Sequence, residues 1–447
     1  MTSTFVQIFE FGHVTSHSGI LNNTMPVISE SAFNYLKLLA LSEHESARAL
    51  RLKGVKGVEA IQFQNYAGVI VTPDGTQIEI LPKVAKIEHS GDTVIASRAA
   101  LLNMIRSLGQ FRHLQTDAAN VLLQRMPLLE VFIRQFLASV NGLVKQGLKR
   151  EYSEKEDNLL YLKGKLNISE QLKRNLIQKQ RFAIAYDEYL PNTLPNQLIK
   201  AALRKVTALA RAIETQRLAH ELEFAFTDVD SVSFRRGSGH ALTVSRGMEH
   251  YRAPLAWAQI ILDGLSPLSM QGTSAAFSLL FPMEAIFESF VAHTLRNTLP
   301  TEIRLKGQAA EKYLVEYGKQ TMFALKPDIT LYHADKLLMV LDTKWKTVDI
   351  AENTKSSKFE LSQSDFYQMF AYGHKYLKGC GNLVLIYPSH AKFYEPLATP
   401  FTFSNELALW VVPFDIHHQT PDKLRLMLPN ELQRQLTSTR IPNSAVI

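Results

Sequence analysis

Cysteine is nearly absent from this sequence: Cys380 is the only one among 447 residues. No intramolecular disulfide can form, and a zinc site built from cysteines is excluded. A reducing cytoplasm is the expected compartment. Long apolar runs are missing too. The most apolar windows, "SAAFSLLFPMEAIF" and "APLAWAQIIL", are shorter than the roughly 20 residues that span a bilayer. The opening "MTSTFVQIFEFGHV" has neither the basic start nor the apolar core of a secretory leader. A soluble chain with no membrane contact is therefore expected. A phosphate-binding loop is also lacking. The nearest approach, "GLVKQGLK" from Gly142 to Lys149, puts Leu148 where the Walker lysine belongs, and no Ser or Thr follows Lys149. Energy from a nucleotide would have to come from another chain. Internal repeats and low-complexity tracts are absent.

What is present describes a globular protein of two or three domains, 46% hydrophobic and 20% charged. The formal charge of +7 suits a polyanion such as nucleic acid, although many ordinary proteins are as basic. Residues 1–90 read as a small β domain. "FVQIFEF", "AIQFQNYAGVIVT" and "TQIEILPKV" supply the strands, Asp74-Gly75 a hairpin turn, and residues 29–52 a helical insert. Residues 91–272 read as mainly helical, from the three- and four-residue spacing in "RAALLNMIRSLG", "LLEVFIRQFLASVNGLVKQGLKR" and "LPNQLIKAALRKVTALARAIE". Within them, "LLYLKGKLNISEQLKRN" reads as a strand leading into a basic helix, and "AFTDVDSVSF" as strand-like. Residues 273–420 alternate helix and strand as an α/β domain. Residues 421–447 form a polar tail expected to fray. The fold class is thus multidomain α+β.

The chemistry concentrates in "LKPDITLYHADKLLMVLDTKWK", Leu325 to Lys346. "HADK" is the turn-like break between "DITLY" and the apolar run Leu337 to Leu341. Antiparallel pairing across it sets Asp328 beside Asp342, or one residue off register. Side chains alternate along a strand, so Asp342 and Lys344 share a face while Thr343 points away. Two carboxylates this close repel unless a cation lies between them. All-oxygen ligation favours Mg²⁺, or Mn²⁺, with waters left over for a phosphate oxygen. A lysine beside such a metal can hold or deprotonate an attacking water. By itself, Asp-x-Lys is a common surface pair at a strand end. Here the Pro-Asp step, the hairpin register and the apolar strand all agree on a site for phosphodiester hydrolysis.

Helices flank the hairpin. Pro282 fits a first turn, and Glu284 and Glu288 follow four apart on one side of a helix. Glu288, between Phe287 and Phe290, is the outer metal-ligand candidate; Glu284 reads equally as a solvated acid. On the following helix Asp365, Gln368 and Tyr372 form one stripe, with Ser362 or Ser364 as N-cap. Gln368 and Tyr372 can orient Lys344 or bind phosphate. Phe366, Met369 and Phe370 read as core. The basic stretches "KRNLIQKQR" and "KQGLKR" read as helix faces, either solvated or tracking a DNA backbone. His417-His418 lacks the further ligands a metal site needs and reads as loop.

Pro327-Asp328 with Asp342-Thr343-Lys344 resembles the PD-(D/E)xK nuclease signature, and Gln368 with Tyr372 resembles the extra motif of its RecB-like branch. "FESFV", "PDITL", "LDTKWK" and "SDFYQMFAY" together resemble the McrC family, the nuclease subunits of McrBC-type restriction systems that depend on modified cytosine. "IEILPK" (Ile78 to Lys83), "LKGKLNISE" and "YDEYLPNTLPNQLI" extend the resemblance over most of the chain. It implies a restriction-endonuclease-like domain at residues 273–420, with Asp328, Asp342 and the Thr343 carbonyl as Mg²⁺ ligands. Lys344 would act on the water, and Glu288, Gln368 and Tyr372 would assist. DNA is the implied substrate. The implied partner is an AAA+ GTPase that carries the modified-base reader, contacts the N-terminal domain and is stimulated by it. Arg48 and Arg51 are candidates for that stimulation, with a solvated helix face the alternative. Two rival functions are a catalytically silent activator of an AAA+ ring and a stand-alone RecB-like repair nuclease.

Overall fold

β-Branched and aromatic residues build the beginning of the chain into strands. These are β1 (Phe5–Phe9), β2 (His13–Val14), β3 (Leu50–Val55), β4 (Val58–Phe63), β5 (Tyr66–Val71) and β6 (Gln77–Leu81), and between β2 and β3 the described residues hold the helix α1 (Glu30–Ala40). The structure is a computed structural model that describes residues 5–17, 25–41, 49–84, 93–108, 126–231, 247–263, 277–417 and 425–437. Ser29 starts α1 by accepting a hydrogen bond from the Ala32 N–H at 3.0 Å. The Asp74-Gly75 turn joins β5 to β6, with Gly75 at a φ of 86° that suits glycine. Of the expected helical insert, α1 ends at Ala40, residues 42–48 lie outside the described residues, and Leu50 already begins a strand. Arg51 is thus exposed on β3 rather than on a helix, while Arg48 lies outside the described residues. "AIQFQNYAGVIVT" splits into two strands that enter different sheets, β4 between β2 and β3, and β5 beside β6, which pairs in turn with β1. Val6, Ile8, Phe33, Leu36, Ile61 and Ile78 fill one core between them.

α2 (Thr93–Ile105) follows and packs on β6. Its Arg98 donates twice to the buried Glu79, at 2.7 and 3.0 Å, and Gln7 donates to Glu79 as well. Two compact units emerge: residues 1–126 with 266–447, and residues 127–265. This division differs from the four-segment reading, since α2 belongs with the N-terminal strands.

The second unit is helical around a core of Phe132, Phe136, Leu203, Phe226 and Trp257. Its helices are α3 (Leu128–Gln146), α4 (Ile168–Arg174), α5 (Leu194–Leu209), α6 (Ile213–Ala225) and α7 (Arg252–Asp263). It also holds a sheet that the helical reading largely omits. β7 (Glu151–Leu159), β8 (Lys165–Leu166) and β9 (Phe182–Leu190) pair in the order β7-β9-β8. β7 is almost wholly exposed and lacks the apolar alternation that marks a half-buried strand. Gly147 ends α3 at a φ of 98°, so the Gly142 to Lys149 stretch is mostly a helix end. The basic run after Arg174 is not helical, nor is "AFTDVDSVSF" a strand over its described part, where α6 ends in a turn. Among the described residues no helix is long and apolar enough to cross a membrane.

The chain then returns to the first unit. β10 (Phe277–Pro282) pairs antiparallel with β5, which makes it the edge of the N-terminal sheet. The pairing needs Gly68, at a φ of 140°, because a Cβ there would collide with the Leu279 carbonyl. Pro282 is the last residue of β10 and the N-cap of α8 (Met283–Thr298) rather than a first-turn residue. A six-stranded mixed sheet follows, ordered β11-β14-β15-β16-β18-β17. Its strands are β11 (Ile303–Gly307), β14 (Ile329–His333), β15 (Lys336–Thr343), β16 (Gly381–Pro388), β17 (Phe401–Thr402) and β18 (Leu407–Phe414). β12 (Lys312–Tyr317) and β13 (Gln320–Leu325) form a separate, exposed hairpin. α9 (Gln363–Tyr376) covers the face of Val340, Leu383, Leu385 and Leu409 with Met369, Tyr372 and Tyr376. α8 covers the other face, with Phe287 and Phe290 edge-on to Phe414. Phe370, read as core, is 46% exposed and stacks beside His374. The described part of the tail does not fray: Leu426 bridges to Phe414, and α10 (Asn430–Thr437) buries Leu432 and Leu436.

Glu79 and Arg98 are 0% and 3% exposed as side chains, so removing one partner strands a buried charge. Arg98→Leu is expected to cost about 3–5 kcal/mol in urea unfolding. The double variant with Glu79→Leu should recover most of it.

Candidate active site

The turn between β14 and β15 is two residues long. Ala334 and Asp335 both take positive φ, at 46° and 65°, with His333 facing Lys336 across the turn. Carried on without interruption, that register would set Asp328 opposite Leu341. It is interrupted: Tyr332 faces Leu337 while Leu331 faces Met339, an irregularity of one residue. Beyond it Ile329 pairs with Leu341, so Asp328 falls level with Asp342. The apolar alternation of β15 then turns Asp342 onto the face of Val340, under α9.

The side chains that meet here are those picked from the sequence. One oxygen of Asp328, Oδ2, accepts from the Thr343 N–H at 2.7 Å and from the Thr343 hydroxyl at 2.6 Å. Lys344 Nζ pairs with Asp342 Oδ2 and donates to Gln368 Oε1 at 3.0 Å. Gln368 Nε2 donates to Tyr372 Oη at 2.7 Å and reaches Asp342 Oδ1 at 3.5 Å. Tyr372 in turn donates to the Lys326 carbonyl at 3.0 Å, and Tyr376 to the Leu325 carbonyl at 2.9 Å. Two tyrosines of α9 thus hold the backbone leading into Asp328. On the other side Gln308 bonds the Asp328 carbonyl through its N–H, and Glu288 through its side chain. Glu284 is exposed and accepts from Asn65 at the end of the N-terminal sheet, apart from this network.

The charges of the site are strained. Burial, then the nearby Asp328, push the Asp342 carboxyl up from its usual 3.8 to about 7, against the pull of Lys344. Burial and Asp328 also raise Glu288. Burial alone would lower Lys344, but the field of Asp342 and its direct contact outweigh it and leave the ammonium raised. Asp342 Oδ2 touches Lys344 as an ion pair without the alignment of a hydrogen bond. Three carboxyl groups, Asp342 buried and Asp328 and Glu288 half-buried, thus lie around one ammonium. Among the described residues no three His, Cys, Asp or Glu side chains form a closed metal cage. Any cation here would be held by two carboxylates with carbonyl, water or substrate oxygens.

Several neighbours escape sequence reasoning. Lys346 pairs with the buried Asp365 at 2.8 and 3.0 Å. Trp345 donates its indole N–H to both oxygens of Glu10, at 3.0 and 3.2 Å. No spacing rule links positions 10 and 345. The only hint is that Lys83, which touches the same pair, closes the quoted "IEILPK".

The profile of the McrBC 5-methylcytosine restriction system component family matches residues 61–388. Similar solved structures include two of McrBC assemblies. One is a refined half-complex from a tetradecameric assembly of Thermococcus gammatolerans McrB AAA+ hexamers with bound McrC. Its matched chain is 20% identical at a TM-score of 0.65, over 92% of this chain and 95% of that one. The other is a cryo-EM structure of the Thermococcus gammatolerans McrBC complex, 22% identical at a TM-score of 0.46, over 66% and 88%. No curated protein matches.

A carboxyl raised in the folded state favours folding fully below its unfolded value, and that contribution is lost as pH climbs through the folded one. For Asp342 the window runs from about 4 to 7. Lys344, raised above 10.5, titrates outside it. Without divalent metal, Asp342→Asn should therefore melt above the parent chain at pH 8. The advantage, on the order of 1–3 kcal/mol, should vanish in thermal melts at pH 4.

Proposed function

Because the chain belongs to the McrBC 5-methylcytosine restriction system component family, we propose that it is the Mg²⁺-dependent DNA endonuclease subunit of such a system. Its domain of residues 273–420 is then a PD-(D/E)xK nuclease. It works with an AAA+ partner that hydrolyses GTP; the similar structure, of McrB AAA+ hexamers with bound McrC, supports the AAA+ part of this reading. The observation that carries this reading is the register shift that brings Asp328 level with the buried Asp342, beside Lys344. A surface ion pair needs no such alignment.

The donors suit Mg²⁺. Asp342 is a buried acid short of positive charge, and one of its oxygens has no aligned hydrogen bond. The two Thr343 bonds fall on a single oxygen of Asp328, leaving Oδ1 outside them. Asp328, Asp342 and the Thr343 carbonyl would hold the ion, with Glu288 at its outer side. All are hard oxygen ligands, and the incomplete cage leaves positions for waters and a phosphate oxygen. When bound, Mg²⁺ supplies Lewis acidity to the scissile phosphate and lowers the pKa of water.

The chain's own groups do the positioning. Lys344 holds the attacking water and offsets the charge gathering on the phosphate. Gln368 fixes the Lys344 ammonium through its carbonyl oxygen, and Tyr372 fixes Gln368. The same Tyr372 ties down Lys326, so one helix sets both the acid and the lysine. Glu288 accepts from the Gln308 side chain, whose backbone N–H holds the Asp328 carbonyl, so the outer acid is tied to the inner one.

Asp342→Ala should lower cleavage of methylated plasmid by at least about a hundredfold, assayed with the AAA+ partner, GTP and Mg²⁺. Folding and partner association should persist. Cleavage at the parent rate would refute the assignment. An inactive parent chain that still stimulates the GTPase would indicate a scaffold.

A further inference from the structure

The residue after Lys344 is gripped by the N-terminal sheet. Trp345 is 2% exposed and lies against Phe287 with ring centroids 5.4 Å apart. Its indole N–H points to the Glu10 carboxyl. Its carbonyl accepts from Lys83 Nζ at 3.2 Å. Glu10 and Lys83 are themselves joined, because the Lys83 N–H donates to Glu10 Oε2 at 2.9 Å. Both emerge at one end of the sheet: Glu10 directly follows β1, Lys83 follows β6 by two residues, and β1 and β6 are parallel neighbours. The Lys83 ammonium lies 4.8 Å from the centroid of the Phe11 ring.

Burying the Glu10 carboxyl and half-burying the Lys83 ammonium this way is costly unless the arrangement serves something. Packing alone would be served by any apolar residue at position 345. What the pair adds is a grip on both polar ends of Trp345, its ring nitrogen and its carbonyl. The neighbouring peptide plane is then fixed, and with it the base of the Lys344 side chain. The same end of the sheet launches α8, which carries Glu288: Pro282 closes β10, and Met283 N–H bonds the Asn65 carbonyl at 3.0 Å.

We propose that Glu10 and Lys83 are positioning residues, a clamp on Trp345 through which the N-terminal sheet sets the place of Lys344 and of the Thr343 carbonyl. The proposal rests on the nuclease reading of that site. It makes the N-terminal strands part of the catalytic frame, so a load applied to them would reach the lysine through two short links.

The full chain with its AAA+ partner carries the test, using Lys83→Met, Lys83→Arg and Trp345→Phe. Lys83→Met keeps the apolar stem and loses the donor; Lys83→Arg restores a donor. Trp345→Phe keeps the ring against Phe287 and loses the N–H. Lys83→Met and Trp345→Phe should lower kcat for Mg²⁺-dependent cleavage about 10- to 100-fold, with KM for DNA within about twofold. Each should also weaken Mg²⁺ binding by calorimetry, a readout that needs no turnover. Lys83→Arg should recover most of both. Parent-like kcat and Mg²⁺ affinity in Lys83→Met and Trp345→Phe would overturn the clamp. So would a loss confined to KM, which would make Lys83 a DNA contact, or an arginine no better than methionine. If the parent chain binds Mg²⁺ yet never cuts, the nuclease reading fails, and the calorimetric comparison still decides the clamp.

Discussion

A carboxylate buried at the end of a core strand is the constraint on which the rest of the first unit depends. Asp342 is 1% exposed, and an isolated charge so placed costs far more than a domain can spare. Its surroundings answer that cost in part: Lys344 contacts it and Gln368 stands near. Asp328 works against them by adding a second negative charge, and so the carboxyl is raised. A structure optimised for stability alone would carry a leucine at position 342, as it does at 341. The persistence of local strain in an otherwise well-packed sheet points to chemistry rather than support.

The supporting residues fall into two shells with different jobs. Gln368 reaches Asp342 and Lys344 directly, and Tyr372, one turn on along α9, holds Gln368. Behind them, Tyr376, Gln308 and Asp365 hold backbone carbonyls or the neighbouring lysine. Each is fixed by a polar bond in a partly buried place, where such bonds are worth more than in water. Because α8 and α9 lie on opposite faces of the sheet, the site is squeezed between two helices whose own cores are aromatic. Small displacements of either helix would be resisted by close packing.

How much of this was legible in the sequence follows from how local each signal is. The hairpin was readable because turn, strand and acids lie within a stretch of about twenty residues and obey simple alternation. The stripe of Gln368 and Tyr372 was readable because helical spacing is equally local. The register irregularity was not, because nothing in "TLYHADKLLMV" marks which residue is extra; only the open choice between two registers reflected it. β10 is buried along nearly its whole length, and a short apolar run of that kind cannot be told from a helix segment by periodicity. β7, β12 and β13 fail for the opposite reason, being exposed on both faces with no apolar period. Phe370 follows the core residue Met369 in the chain, and its type predicted burial that the helix's rotation does not provide. The Glu10–Trp345 bond joins residues far apart in sequence, and only the tertiary fold reveals it.

The segment "DTKWK" shows how alternation lets a few residues serve two tasks. Asp342, Lys344 and Lys346 turn to the face under α9, where Gln368 and Asp365 receive the lysines. Thr343 and Trp345 turn the other way, Thr343 to Asp328 and Trp345 to Glu10. The Lys344 N–H bonds the Ile386 carbonyl at 2.9 Å, extending the ladder with β16 one residue past the strand. One face therefore carries the charges of the strand end, and the other carries the bonds that hold the strand end still. A lysine at the tip of a free strand would sample many rotamers, and its entropy would count against any fixed role. With neighbours on both sides anchored and its own backbone paired, most of that freedom is already gone in the folded chain.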